Sequence, residues 1–400
     1  MWIEWTIATR FLREGKAQST LILVGIATGV AVIVFLTALI TGLQGNIINR
    51  TLGTQAHIRV QPTEETNRIL APADGRVQLV LENKRAQRLR SINNWQQVRD
   101  VLDTLPQVTA VSPVISGPAF ARRGEALESV ALVGIDAERY QRIIPIQDDV
   151  VAGVFRIGAG DTVIGRQLAA DLGIRVGDKL RLDGGQGRET VLNVAGIFEL
   201  GVRELDSRYV YLDMKQAQSL LDLPGAATVI DVTVDDIFAA RRIAARIGRL
   251  TGLKSESWME TNAQLMNALR SQSLSTQMIS LFVALSVALG IASVLSVSVV
   301  QRTREIGILR AMGTTRPQML RVFLMQGAIF GLAGSLVGGL AGYGLVAAFN
   351  TFGPKLFFIP VDPWLLVGAA ALATVTGIVA AAVPARRASG LDPVEAIRHV

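Results

Sequence analysis

The sequence predicts an α-helical membrane protein with four transmembrane helices and an α+β extracytoplasmic domain. Three observations support this fold class. Four segments contain no Asp, Glu, Lys or Arg, each is longer than the roughly 20 residues that cross a hydrocarbon core, and the region between the first two mixes helix and strand patterns. A charge at mid-membrane costs about 2.5 to 3.5 kcal/mol on insertion scales. The absence of charged residues from all four segments therefore favours membrane spans over buried helices of a soluble core. The four segments are residues 17–49, 271–301, 322–354 and 363–385.

The distribution of charge predicts how the chain is oriented in the membrane. Residues 1–16, 302–321 and 386–400 together carry eleven Lys and Arg but only five Asp and Glu, so they hold most of the formal net charge of +7. By the positive-inside rule, both termini and the 302–321 loop are cytoplasmic, and residues 50–270 lie outside the membrane. The large domain is therefore expected on the extracytoplasmic side of the membrane. Topology explains the positive charge, so we do not expect nucleic acid binding.

These boundaries define the predicted organisation of the chain. The first span is preceded by an amphipathic helix that suits the membrane interface. The charge-free window of the first span would be about 50 Å long as a helix, so this span is long enough to extend beyond the bilayer as a stalk. The second span is expected to continue a polar helix that starts at Glu260. The predicted segments are 1–16 (cytoplasmic interfacial helix), 17–49 (first span and stalk), 50–270 (periplasmic domain), 271–301 (second span with stalk), 302–321 (cytoplasmic loop), 322–354 (third span), 355–362 (short outer loop), 363–385 (fourth span) and 386–400 (cytoplasmic tail).

The periplasmic domain has the pattern of an α+β fold, in two lobes that meet near residues 145–160. Alternating apolar residues predict short strands, and longer stretches with helical spacing predict helices between them. The predicted strands are 56–61, 108–115, 129–135, 162–164, 178–182, 190–198, 209–212 and 228–234. The predicted helices are 95–105, one that ends near Gly173, 214–221 and 235–247.

The sequence offers no catalytic or metal-binding constellation. It has no cysteine, and its two histidines, His57 and His399, are expected on opposite sides of the membrane. It has no phosphate-binding loop of the form G-x-x-x-x-G-K-[ST], so we expect no ATPase activity in this chain. The spans also lack the ionisable residues that ion-coupled carriers place at mid-membrane, which argues against a secondary transporter.

The cytoplasmic loop contains a short amphipathic pattern that ends at Gly313. Apolar residues alternate with charged ones, as in a helix that lies in a groove of a partner protein. An ordinary interfacial loop that satisfies the positive-inside rule would have the same pattern, and both interpretations remain open. The candidate coupling residues are Arg304, Glu305, Ile306, Leu309, Arg310, Met312 and Gly313.

Small residues spaced four apart predict close helix packing in the membrane. Such spacing lets helix backbones approach each other, either within the bundle or across a dimer. The third span has the longest series, and the first span has a shorter one. The candidate packing residues are Gly25, Gly29, Gly327, Gly331, Gly334, Gly338 and Gly342.

Several of these stretches resemble the FtsX/MacB/Lol-type ABC transporter permeases, also called type VII or mechanotransmission exporters. The matching sequences are R-T-R-E-I-G-I-L-R-A-M-G-T-T at 302–315, Gln326-Gly327 with the glycine-rich span, and P-A-R-R-A-S-G-L-D-P-V-E-A-I-R at 384–398. The stretches 164–178, 194–198 and 204–212 resemble the periplasmic core of Lol permeases. With the order of spans and domain, the resemblance covers nearly the whole chain.

The resemblance implies a permease subunit in the inner membrane of a bacterium, with its large domain in the periplasm. The subunit would work with a dimer of separate ATPase chains, which would bind ATP and Mg²⁺. Residues 305–313 would dock on the ATPase, and a second permease copy or a paralogue would complete the dimer. The implied activity is export or membrane extraction of a lipoprotein or another hydrophobic substrate by mechanotransmission to the periplasmic domain. Substrate would enter between the first and second spans, near Leu43 and Met278.

One departure from the Lol pattern leaves the periplasmic partner open. Lol permeases that deliver lipoproteins to a periplasmic chaperone carry an extended hook, whereas residues 181–190 of this chain form only a short glycine-rich turn. Two alternatives follow. Either a partner permease carries the hook and the periplasmic partner is a chaperone, or the substrate is exported through a membrane-fusion adaptor, as in an efflux system. A further alternative is an FtsX-like regulator that activates a periplasmic cell-wall hydrolase, and a membrane receptor without any ATPase partner is another.

Overall fold

The computed structural model describes residues 2–14, 16–63, 91–92, 94–185, 187–354 and 357–391. The chain divides into two compact units. Residues Met1–Ile48 and Asn267–Val400 form the first, which we call the membrane unit, and Asn49–Met266 form the second, which we call the sheet unit. The C-terminal part of the predicted tail motif, residues 392–398, lies outside the described residues.

The described helices and strands follow in chain order. The helices are α1 (Trp2–Glu14), α2 (Lys16–Leu52), α3 (Trp95–Asp103), α4 (Ala137–Tyr140), α5 (Arg166–Asp171), α6 (Arg203–Arg208), α7 (Met214–Leu220), α8 (Ala240–Thr251), α9 (Trp258–Thr261), α10 (Ala263–Gln301), α11 (Thr303–Ala311), α12 (Arg316–Phe352) and α13 (Pro363–Gly390), with one 3-10 helix at Ile146–Asp149. The strands are β1 (Ile58–Gln61), β2 (Val108–Arg123), β3 (Ala126–Ile135), β4 (Val150–Gly153), β5 (Asp161–Gly165), β6 (Lys179–Asp183), β7 (Glu189–Phe198), β8 (Tyr209–Asp213), β9 (Val229–Val234) and β10 (Lys254–Ser257).

The membrane unit is built on four helices that are long and apolar enough to cross a bilayer, namely α2, α10, α12 and α13. The first three have 37, 39 and 37 residues, so each is about 55 Å long or slightly more and exceeds the ~30 Å hydrocarbon core. Apolar residues of all four helices share one buried cluster, which includes Ile26, Ile291, Phe330 and Ala381. Burial of this cluster holds the four helices together.

The ends of these helices differ from the sequence-based boundaries in two places. The helix predicted to run unbroken from Glu260 is interrupted at Asn262, which closes the short α9 with φ −106° and ψ 42°. A capping box between Ser257 and Glu260 starts α9 instead. The fourth helix continues through Pro384 to Gly390, because Ala385 and Ala388 are buried in a cluster with residues of α11 and α12.

The sheet unit contains a ten-stranded sheet, part of which closes into a barrel. The strand order is β10-β1-β9-β2-β3-β8-β5-β7-β4, and β6 pairs with both β2 and β7. Six strands, β2, β3, β8, β5, β7 and β6, therefore form a closed ring of hydrogen-bonded neighbours. Pairing is antiparallel except between β3 and β8 and between β5 and β7. Buried apolar residues from all six strands, such as Leu132, Leu182 and Val194, form one cluster.

The long strand β2 joins the barrel to the open part of the sheet. Its first half, Val108 to Val114, pairs with β9, and residues Phe120 to Arg122 pair with β6. The expected lobe boundary at residues 145–160 was wrong, because strands before it (β2 and β3) and strands after it (β5, β6, β7 and β8) belong to the same barrel. The helix predicted over 235–247 begins only at Ala240, because the preceding residues form a turn.

A second cluster covers the opposite face of the sheet around the barrel strands. Tyr140 of α4 and Ile146 of the 3-10 helix are buried against Phe198 and Tyr211, whose ring centroids are 5.2 Å apart. Strand β9 also carries a buried acid, Asp231, whose Oδ1 lies 3.3 Å from Nε of Arg59 in β1. Burial raises the pKa of the Asp231 carboxyl, even though Arg59 acts in the opposite direction.

Candidate functional site

The candidate site is α11, a nine-residue helix in the short connection between α10 and α12. It ends at Ala311, and Gly313 follows two residues later with a φ of 103°, a conformation that side chains with a Cβ disfavour. The backbone N–H of Gly313 donates to the Arg310 carbonyl at 3.1 Å, and that of Thr314 donates to the Leu309 carbonyl at 3.1 Å. Helix α12 then starts with a capping box at Thr315. These hydrogen bonds fix where the connection turns.

One face of α11 is locked into the membrane unit. Ile306 is fully buried in a cluster with Val299 of α10, Phe323 of α12 and Ala385 of α13. Leu309 is partly buried and packs against this cluster and against a second one that contains Phe11 of α1. Ile306 therefore positions the helix and offers no surface to a partner protein. Through these two clusters, α11 packs against residues of α1, α10, α12 and α13.

The opposite face of α11 is exposed. Arg304 and Glu305 are at the surface, Ile308 is 44% exposed, and Met312 just beyond the helix is 79% exposed. Sequence reasoning missed Ile308, although its position four residues after Arg304 places both on the same helix face. Two exposed apolar side chains beside two charges form a mixed surface, which we call the docking face (Arg304, Glu305, Ile308 and Met312). Gly313 is also exposed and terminates this face.

Arg310 lies at the boundary between the two faces. Its Nε and Nη1 atoms are buried and have no hydrogen-bond partner among the described residues. A guanidinium that is shielded from water without an acceptor is energetically unfavourable. The guanidinium of Arg310 therefore carries two unpartnered nitrogen atoms that are shielded from the surface of the described residues.

The candidate packing glycines fall on different helix faces. On α12, Gly327 and Gly331 approach the backbone of α13 near Gly377 and Ala373. Three further glycines of α12 contact α2: a Cβ added to Gly334 would lie 2.6 Å from Cγ2 of Ile26. The α2 neighbours of the other two are residues 27–34. The glycines that contact α2 are Gly334, Gly338 and Gly342.

The two glycines of α2 behave differently from each other. A Cβ added to Gly29 would lie 2.7 Å from Cγ2 of Val287 in α10, so this position is a close contact. Gly25 is exposed and has nothing within 4 Å of an added Cβ. Gly25 therefore makes no close helix contact within the described bundle, and its packing across a dimer stays a prediction. Gly377, which the sequence reasoning did not select, takes part in the closest contact with Gly327.

A groove of about 410 Å³ lies between α2 and α10 within the membrane unit. Gln44 Nε2 is 3.3 Å from the Leu269 carbonyl and 3.2 Å from Ser273 Oγ at one end of the groove. The two residues proposed for substrate access, Leu43 and Met278, are next to this groove along the chain but do not line it. The lining residues are Thr37, Ile40, Thr41, Gln44, Ser273, Thr276, Gln277, Ser280, Leu281, Ala284 and Leu372.

The described residues contain no group of three or more His, Asp or Glu that could hold a metal ion. The Nδ1 atom of His57 lies 3.1 Å from both the backbone N and the backbone O of Val234, so the ring connects β1 to the end of β9. Burial lowers the pKa of His57. The side chain of His57 therefore stabilises the sheet, and we assign it no chemical role.

Comparison with known proteins agrees with this arrangement. A family model described as MacB-like periplasmic core domain matches residues 19–250, and one described as FtsX-like permease C-terminal matches residues 277–393. The lipoprotein-releasing system transmembrane protein LolC of Xylella fastidiosa (strain 9a5c) is 26% identical over 447 residues, covering 98% of each chain. LolE of the same kind of system in Haemophilus influenzae is 25% identical over 94% of this chain and 92% of that protein.

A longer relative aligns over almost the whole chain as well. The macrolide export ATP-binding/permease protein MacB of Shewanella oneidensis is 25% identical over 96% of this chain, which spans 58% of that protein. The matched segments include both the sheet unit and the membrane unit. The chain belongs to the family of ABC transporter permeases that combine a MacB-like periplasmic core domain with an FtsX-like permease C-terminal region.

Proposed function

We propose that the chain is the membrane-spanning permease subunit of an ABC transporter that exports or extracts a lipoprotein or another hydrophobic substrate. A separate ATPase dimer binds ATP and Mg²⁺, and a second permease copy or a paralogue completes the complex. Relatives named as lipoprotein-releasing transmembrane proteins align over nearly the full length of the chain, which supports this function. Both termini and α11 are on the cytoplasmic side in this proposal, and the sheet unit is periplasmic.

The observation that carries the proposal is the division of α11 into two faces. Its inner face is buried among α10, α12 and α13, and its docking face is free to contact another protein. A force applied to the docking face would therefore reach three membrane helices through Ile306 and Leu309. A helix of this kind converts movement of an ATPase into movement of the spans.

The groove between α2 and α10 is the proposed route for substrate. Its walls combine hydroxyl and amide groups with Ile40, Leu281 and Leu372, so acyl chains and their polar linkage would both find suitable contacts. Because the chain has no cysteine, single cysteines with photoactivatable labels can be placed there. We expect Ser280→Cys to crosslink to lipidated molecules. Val379→Cys, on the exposed surface of α13, is the control, and equal crosslinking at the two positions would contradict the route.

The periplasmic partner is proposed to be a membrane-fusion adaptor or a chaperone. Only residues 184–188 connect β6 to β7, and the side chain of Asp183 accepts a hydrogen bond from the Gly185 backbone at 2.8 Å. A connection of five residues is too short to form an extended hook. The short turn favours the adaptor, and with it efflux as the second candidate function. If the periplasmic partner is identified as a cell-wall hydrolase, the alternative function is regulation of that hydrolase.

Copurification tests the proposal directly. Met312→Asp places a negative charge on the docking face, and we expect it to reduce the amount of copurified ATPase at least about tenfold, as truncation of a central interface anchor does. The matched control is Gln301→Asp, which adds the same charge at an exposed position outside the docking face. The proposal is wrong if no ABC ATPase copurifies with the unmodified chain. The assignment of the docking face is wrong if the Met312→Asp and Gln301→Asp variants retain the same amount of ATPase.

A further inference from the structure

One arginine, Arg302, makes polar contacts between helix α1 and the start of the candidate coupling site. Arg302 lies between α10 and α11, and its side chain is only 13% exposed. Its Nη1 is 3.4 Å from Oε2 of Glu14 at the end of α1, and its guanidinium carbon is 4.8 Å from the ring centroid of Phe11 in the same helix. A partly desolvated guanidinium that has both a carboxylate and an aromatic face is held in one orientation.

The contact continues into the core on both sides of Arg302. Phe11 packs against Phe323 of α12 with ring centroids 6.4 Å apart, and it shares a buried cluster with Ala8 and Val322. Leu309 of α11 packs against this cluster as well as against the cluster of Ile306. The inner face of α11 is therefore bordered by α1 as well as by the membrane-spanning helices.

The junction also includes the start of α2. Ser19 Oγ donates to the Leu12 carbonyl of α1 at 3.0 Å, and Gln18 Nε2 donates to the Val294 carbonyl of α10 at 3.1 Å. A small cavity of about 20 Å³ at this point is lined by polar residues of three helices together with Arg302. Those polar residues are Gln18, Ser19, Ser298 and Gln326. Arg302 thus lies where α1, α2, α10, α11 and α12 meet.

We propose that Arg302 is a positioning residue that clamps α1 onto α11, so that a load on the docking face is shared between α10 and α2. The inference rests on the proposed function for the origin of that load. Without the clamp, α1 would keep its apolar packing against Leu309 and Phe323 but would lose the ion pair and the cation–π contact. Helix α1 and the start of α2 would then follow α11 less closely. The ATPase would still bind, because Arg302 is not on the docking face. Movement of the groove between α2 and α10 would become weaker.

The first experiment measures the clamp in the permease alone. Spin labels at Trp5→Cys on α1 and Met312→Cys next to α11 report the distance between the two helices by pulsed electron paramagnetic resonance. We expect Arg302→Ala to widen the distance distribution at least about twofold, since one side chain provides both the ion pair and the cation–π contact. Arg302→Lys keeps the charge and should retain most of the native distribution. Arg316→Ala, which removes an exposed arginine from the start of α12, is the matched control and should have no effect.

The second experiment measures transmission in the complex with its ATPase. Labels at Thr41→Cys and Ser280→Cys lie on opposite walls of the groove. Arg302→Ala should reduce the distance change on ATP binding to about one third or less while leaving the amount of bound ATPase unchanged. An unaltered distribution in the first experiment would overturn the clamp, as would a full distance change in the second. If no ATPase binds the unmodified chain, the proposed function fails, and the first experiment still decides whether the clamp exists.

Discussion

Substitution of Gly338 by alanine tests the packing of α12 against α2. A Cβ at this position would lie 2.8 Å from Cβ of Val30 and 2.9 Å from Cα of Ala27, and it would also overlap the Ala27 carbonyl oxygen. Two of these three neighbours are backbone atoms of α2, which cannot move away by changing a rotamer. The helices must therefore separate along this contact.

The cost follows from the distances. Carbon atoms pack favourably at about 3.5 to 4.0 Å, so α12 must withdraw by roughly 0.6 to 1 Å, and a gap of that size forfeits between a quarter and a half of the dispersion energy across the contact. Together with the residual overlap, we expect Gly338→Ala to lower the free energy of unfolding by about 1 to 3 kcal/mol, the usual range for overpacking. Gly334 and Gly342 would lose contacts by the same movement, because they face the same helix.

Gly344 of the same helix provides the control. It is exposed, and a Cβ there has nothing within 4 Å, so Gly344→Ala gains the same helix propensity without the overlap. Unfolding of each variant by sodium dodecyl sulfate in mixed micelles, followed by near-ultraviolet circular dichroism, gives the difference in free energy. Equal stability of the two variants would refute the packing argument, because it would mean that α2 and α12 are not in close contact at Gly338.

Three further substitutions test other parts of the structure. Burial raises the pKa of Asp231 in the folded state, so above pH 3.8 the native protein still binds a proton that the unfolded chain has lost. The free energy of unfolding should therefore fall as the pH rises from near 3.8 toward the folded pKa. Asp231→Asn should remove this dependence in unfolding curves between pH 4 and 8. Ile306→Ala should cost about 2 to 4 kcal/mol of unfolding free energy in mixed micelles, as other buried isoleucines do, and a loss below about 0.5 kcal/mol would contradict its burial. The carboxylate of Asp206 accepts the backbone N–H groups of Leu200 and Gly201 at 2.8 and 3.1 Å, so Asp206→Ala should cost about 1 to 3 kcal/mol and accelerate hydrogen exchange at these two amides, whereas unchanged exchange would contradict the contact.

Much of the secondary structure was accessible from local sequence patterns. The hairpin of β6 and β7 and the helix α7 were expected within a few residues of their observed ends, because alternation and helical spacing report directly which side chains are buried. The strands β4 and β10 were missed. Each has only four residues, and most of them are partly or fully exposed, so neither strand produces a strong apolar alternation.

The candidate site was found in sequence, but its two faces were not separated there. Ile306 and Met312 are both apolar, and both were assigned to one partner-facing surface. The structure buries Ile306 completely and leaves Met312 mostly exposed, because three other helices converge on only one side of α11. Ile308 was overlooked for the same reason: whether an apolar residue of a short helix faces outward depends on its neighbours in space.

The sequence alone determined the four spans, the short helix between two of them and the large domain that interrupts the membrane part. These features follow from the transfer of residues between water and lipid, which depends mainly on local composition. The tertiary structure alone decided that β6 closes a barrel with β2, that Gly29 packs against α10 while Gly25 stays exposed, and that Arg302 joins α1 to α11. Each of these depends on a contact between residues that are distant in the chain, and local composition does not specify which distant residue will be the neighbour.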